Sequence, residues 1–134
     1  MDNPFANISS PGDARAALAD WKERADQRAA EAIAASEAVQ ELTAVGQDAN
    51  GVVAVKLNSS GAIMEVRFST DMQRMQPRHA ERQFMEAYGN AGQALMRAAQ
   101  AAVSERLPDS SPTARALVDS IKMRFPEREE EDEV

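Results

Sequence analysis

The chain has 134 residues, 43% apolar and 28% charged, a globular balance that suits one small domain and excludes two large ones. Aromatics make up only 4% and alanine is abundant, so thin, close-packed helices are expected over a bulky core. The absence of cysteine excludes a disulfide framework, a thiolate metal site and a thiol nucleophile, and points to a cytoplasmic chain; the net charge of −7 at face value argues against nucleic acid, since phosphate binding rests on clustered Lys and Arg.

In chain order, residues 1–10 carry Asn, Pro and Ser without a periodic apolar pattern and read as a flexible arm. Met1-Asp2-Asn3-Pro4 lacks a basic patch followed by an apolar run, and no stretch approaches membrane length. Neither a signal peptide nor a membrane span is expected. Ser10-Pro11-Gly12-Asp13 supplies a hydroxyl N-cap, a proline in the first turn and an acid for the positive end of the dipole, so a helix starts here. From Ala14 it runs without Gly or Pro to about Thr43. Leu18, Ala25, Ala32 and Val39 recur every seven residues, with Trp21, Ala35 and Leu42 on the adjoining stripe, interrupted by Arg28. Thirty residues at 1.5 Å rise give a rod of roughly 45–50 Å, too long for a domain this small to cover, so part of it must project or meet a partner.

After Gly46 the hydrophobic period changes from 3.6 to 2. Residues 51–58 and 62–69 read as a hairpin around Asn58-Ser59-Ser60-Gly61. Pairing Val53 with Val66, Val55 with Met64 and Leu57 with Ala62 makes one apolar face, and puts Val52 opposite Arg67 on a mixed face. Residues 45–48, before a turn at 49–51, supply a third strand. Residues 70–76 connect to Pro77, the start of a second helix running to about Arg106. Phe84, Tyr88, Ala91, Leu95, Ala98 and Ala102 form its apolar stripe, and Gly89 and Gly92 within it suggest close backbone approach. The organisation is thus an arm (1–10), a main domain (11–107), an added segment with a short helix from Thr113 to about Arg124 (108–125), and an acidic tail (126–134) expected to be disordered. That tail holds six acids and one arginine, hence −5 of the −7, and leaves the body nearly neutral.

Little of this is catalytic chemistry. The one histidine, His79, has no second His or Cys and no acid at ligand spacing, so it reads as a surface residue. Gly89-Asn90-Ala91-Gly92 lies in a helical pattern without the Lys-Ser/Thr of a phosphate loop. No catalytic residue, metal ligand or cofactor is assigned, and an enzyme is not expected. The basic residues are Lys22, Arg24 and Arg28 on the first helix, and Arg74, Arg78, Arg82 and Arg97 on or before the second. They are interleaved with acids that allow i,i+4 pairs such as Asp20 with Arg24.

The ordered set of a long helix, Gly51-Val52-Val53-Ala54-Val55, the turn glycine Gly61, a second strand, and Phe84-Met85-Glu86-Ala87-Tyr88-Gly89-Asn90-Ala91 resembles the YbaB/EbfC family of bacterial nucleoid-associated proteins over residues 14–106. The resemblance implies an α+β protomer with a three-stranded sheet, dimerised through the sheet region. Its projecting helices would bind duplex DNA with little sequence selectivity, in the nucleoid. Phosphate contacts are then expected from Lys22, Arg24, Arg28, Arg78 and Arg82. Core or dimer packing is expected from Leu18, Trp21, Val53, Val55, Met64, Val66, Phe84, Tyr88 and Leu95. Against the family pattern, this first helix is alanine-rich with seven acids to four bases, and the C-terminus adds a helix and the acidic tail. A second group with the same domain resembles partners of specialised secretion systems, which implies the alternative of a protein-interaction module without DNA binding.

Overall fold

A computed structural model describes residues 10–124. The arm before Ser10 and the acidic tail over 126–134 lie outside the described residues. The chain runs α1 (Pro11–Gln40), β1 (Thr43–Gln47), β2 (Val53–Asn58), β3 (Ile63–Phe68), a 3-10 turn (Thr70–Arg74), α2 (Pro77–Ser104) and α3 (Pro112–Arg124). The strands form an antiparallel sheet in the order β1-β2-β3, which makes this an α+β fold. At the start of α1 the Ser10 hydroxyl accepts from the Asp13 amide at 3.1 Å, with Pro11 in the first turn.

The sheet buries one face. Val53, Val55 and Leu57 are buried on β2 while Ala54, Lys56 and Asn58 alternate with them as half-buried residues. α2 lies across β1 and β2, with Ala87, Ala91 and Leu95 buried against Ala44, Val53, Val55 and Leu57. Full burial of Leu57, Leu95, Val53 and Val55 contributes about 1.5–3 kcal/mol per side chain. The closest approach is at Gly46: a Cβ there would stand 2.6 Å from both the Ala87 carbonyl oxygen and the Ala91 Cα, and closer still to the Ala91 nitrogen. Only glycine lets β1 come this near a helix backbone. Two hydrogen bonds fix the same contact. Asn90 Nδ2 donates to the Gln47 carbonyl at 2.7 Å, and the Ala49 amide donates to Glu86 Oε1 at 2.8 Å.

Burial on α2 follows Gln83, Ala87, Ala91, Leu95, Ala99 and Val103, and not the expected stripe through Ala98 and Ala102, which are half-buried. Steps of four advance about 40° beyond a full turn, so this row winds round the helix. Its first half faces the sheet and its second half faces α1 and α3. Phe84 and Tyr88 flank the row, half-buried with ring centroids 6.4 Å apart. The second half joins Ala35, Val103, Leu107 and Ala114 in one cluster, and Met96, Ala99 and Ile121, with Leu42 beside them, in another. Ala35 thus meets Val103 while Val39, four residues on, packs against Met96 and Ala99, so α1 runs antiparallel to α2.

The hairpin register differs from the expected one. Val53 pairs with Phe68, Val55 with Val66 and Leu57 with Ile63, with a bulge at Lys56/Leu57. The turn sets this. Gly61 carries the positive φ (85°), so the loop is Ser59-Ser60-Gly61, closed by the Asn58 amide donating to the Ala62 carbonyl at 2.9 Å. A two-residue Ser59-Ser60 loop, which the expected pairing requires, would put serines where glycine is favoured. The slip is two residues over most of the ladder, so the faces are kept. Val52, expected on the mixed face, is instead buried in the core at the entry to β2.

Of the nine expected packing residues, Val53, Val55 and Leu95 are buried, and Val66, Phe84 and Tyr88 pack half-buried beside them. Leu18 and Trp21, each 53% exposed, and Met64, 56% exposed, are not in the protomer core. The first two sit on the uncovered part of α1. Met64 sits on β3, an edge strand whose apolar Ile63 and Phe68 are exposed as well.

Candidate nucleic-acid interface

From Leu18 through Glu31 every residue of α1 is exposed; Ala35 is its only buried residue. Fourteen residues amount to about 21 Å of helix with no cover. Antiparallel packing places this segment beyond the C-terminal end of α2, because Ala35 already lies level with Val103. Lys22, Arg24 and Arg28 are on it. At 100° per residue Arg24 and Arg28 share one face, a turn apart, whereas Lys22 lies on roughly the opposite side.

The second basic group forms where the 3-10 turn meets α2. Arg74 closes the turn and Arg78 and Arg82 lie on the first two turns of α2; with Asp71, Met75, Gln76 and His79 they line an open hollow. Ser69 Oγ accepts from the Asp71 amide at 3.3 Å and fixes the start of the turn. Gln76 precedes Pro77 as N-cap without a side-chain cap bond, and its carbonyl accepts from the His79 and Ala80 amides at 3.0 Å each. The first turn of α2 holds no acid, so the positive end of its dipole adds to the arginines.

The five expected phosphate contacts thus form two groups and not one patch. Counting rise along both helices, Lys22–Arg28 and Arg78–Arg82 lie roughly 40–60 Å apart within a protomer. Among the described residues the ion pairs are Arg67 with Glu65 at 2.7 Å and Arg106 with Glu105 at 3.5 Å. None of the five expected contacts takes part in either. The Asp20–Arg24 pair suggested by spacing is replaced by a hydrogen bond from Arg24 Nε to the Asp20 carbonyl, 3.4 Å long.

The face of the sheet away from α2 is a second uncovered surface. Val45, Gln47, Ala54, Lys56, Glu65 and Arg67 line a shallow groove across all three strands. There the Arg67 guanidinium holds the Glu65 carboxyl below the usual carboxylate range, first through its hydrogen bond and then through its charge, with Lys56 adding to the effect. Sequence reading missed the residues that brace the frame. Asp48 is buried; its Oδ1 accepts from the Val53 amide at 2.7 Å and its Oδ2 from the Asn50 amide at 3.2 Å. An acid just before the Ala49-Asn50-Gly51 turn is the available signal.

Among the described residues no group of three or more His, Cys, Asp or Glu is placed to hold a metal ion, and no helix is long and apolar enough to cross a membrane. Compared with protein-family models, curated proteins and solved structures, the chain finds no match.

Proposed function

We propose that this chain is a nucleoid-associated protein of the YbaB/EbfC kind, a cytoplasmic homodimer that binds duplex DNA through phosphate contacts with little sequence preference. The observation that carries this reading is the free length of α1, exposed from Leu18 to Glu31, with Arg24 and Arg28 on one face and neither in an ion pair among the described residues. Among the described residues no ion pair has to be broken before these guanidiniums meet phosphates; Arg24 has only the 3.4 Å hydrogen bond from its Nε to the Asp20 carbonyl to exchange. The edge strand β3, with Ile63, Met64 and Phe68 exposed, and the uncovered sheet face beside it offer the surface for a second copy. A separation of about 50 Å between the two basic groups matches roughly 15 base pairs at 3.4 Å each.

Gel-shift titration at low and moderate salt tests the reading. Two duplexes of unrelated sequence are expected to bind alike, and binding should fall steeply with salt. The Arg24→Gln/Arg28→Gln variant should lower the salt slope by about two per protomer. Failure to bind at low salt, even with the six tail acids changed to amides, overturns DNA binding. Light scattering at micromolar concentration tests the dimer, which a strict monomer overturns.

A second reading rests on a different observation: Leu18, Trp21 and Ile33 are all more than half exposed on α1. An apolar stripe on a free helix suits a helical protein partner. Co-purification after nuclease treatment separates the readings, because partners bridged by DNA are lost and direct ones remain.

A further inference from the structure

We propose that the acidic C-terminal segment, Glu127 to Glu133, docks within its own chain on the hollow lined by Arg74, Arg78, His79 and Arg82, and so competes with DNA for that end of the molecule. The regulatory half rests on the DNA reading above; the docking itself does not.

Direction comes first. Ala114 shares a cluster with Val103, and Ile121 shares one with Met96 and Ala99, so α3 runs back along α2 toward its beginning. Arg124, three residues past Ile121, is therefore about level with residues 92–94 of α2. From there Arg82 lies roughly 15–18 Å and Arg78 roughly 20–25 Å further along the axis. The ten residues that follow Arg124 in the sequence span up to about 33 Å when extended. Reach is sufficient, and the chain is already heading that way. Lys22 and Arg28 lie at the other end, behind the start of α3.

Facing comes second. Arg78 and Met96 are 18 residues apart, five turns of 3.6, so Arg78 is on the side of α2 that α3 covers further along. The segment need not wind round the helix to meet it.

Charge comes third. The hollow sets three arginines against one acid, Asp71, beside the acid-free first turn of α2. Glu81 and Glu86 line the next hollow with Arg82 and oppose docking there, which confines the seat to the Arg74–Arg78 side. Six carboxylates against one arginine supply the complementary sign.

The chain has no cysteine, so Val134→Cys takes a single spin label and leaves every charge in place. In the full chain at about 50 mM salt, amide signals of Arg74, Arg78, His79 and Arg82 should lose at least half their intensity relative to those of Lys22, Arg24 and Arg28. The difference should vanish at about 1 M salt, where the screening length is about 3 Å, and in Arg74→Gln/Arg78→Gln. Equal attenuation everywhere, or attenuation confined to the surroundings of Lys122, overturns the docking. A mixture in which only isotope-free chains carry the label should leave the hollow's signals intact; attenuation there assigns the segment to a second copy and overturns docking within one chain. If docking holds, amide replacement of the six acids should tighten DNA binding several-fold at low salt. Docking with unchanged DNA affinity overturns the competition alone. Absence of DNA binding in both forms overturns the DNA reading and the competition, and leaves the docking result standing.

Discussion

Replacing Gly46 with alanine tests how the sheet is seated against α2. The new methyl carbon would fall 2.6 Å from the Ala87 carbonyl oxygen and the Ala91 Cα, with the Ala91 nitrogen nearer still, whereas real Cβ contacts essentially never fall under 3.0 Å. All three atoms belong to the backbone in the middle of a 28-residue helix, and no rotamer change can withdraw them. Overpacking commonly costs 1–3 kcal/mol, and a rigid opponent places this case at or above the top, about 3 kcal/mol or more. At roughly 3–4 °C per kcal/mol for a domain of this size, the midpoint of thermal unfolding should drop by about 10 °C. Circular dichroism melts of the full chain read this directly. Adding Ala91→Gly should give no recovery, because glycine keeps the backbone nitrogen and Cα that collide. A melt within about 2 °C of the unmodified chain, or rescue by Ala91→Gly, refutes the close approach.

Three further outcomes follow from named contacts. Asp48→Ala removes the acceptor of the Val53 and Asn50 amides at a buried turn, and should cost about 1.5–3 kcal/mol in a denaturant titration. Gln83→Met should stabilise the fold by about 1 kcal/mol, because Gln83 Oε1 is buried without a hydrogen-bond partner among the described residues and methionine fills similar space; a loss of stability would show that the amide has a use. Arg67→Ala should raise the Glu65 titration midpoint toward the ordinary carboxylate value, followed by NMR. The pairing helps folding above the unfolded carboxylate's pKa and is lost as pH falls through the lower folded one, but both side chains are exposed, so the melt should hardly change.

Local signals reached the fold almost everywhere the chain obeys a single period. The Ser10-Pro11 start of α1, Pro77 at the start of α2, the alternation of β2 and β3 and the Pro112 boundary of α3 are all visible as residues, whereas α1 ends at Gln40 and β1 begins at Thr43, ahead of the change expected after Gly46. Register was not, because parity sorts faces but leaves shifts of two residues undecided; the position of Gly61 within its turn decides them. The α2 stripe was misplaced because its two halves serve different neighbours, and one sequence window averages them. For the candidate interface, sequence sorted the cations by helix but not their separation in space. Only the antiparallel packing of α1 on α2 shows that Arg24 and Arg78 stand at opposite ends.

Ala35 is where the first helix enters the body, wedged among Val103, Leu107 and Ala114. Mechanically that makes it a fulcrum with an overhang of about 36 Å out to Pro11. A tilt of only 10° at this point would swing the tip by about 6 Å, close to the width of a minor groove. A methyl-sized side chain at the fulcrum therefore governs where the far charges land, and a bulkier residue there would re-aim them without touching one.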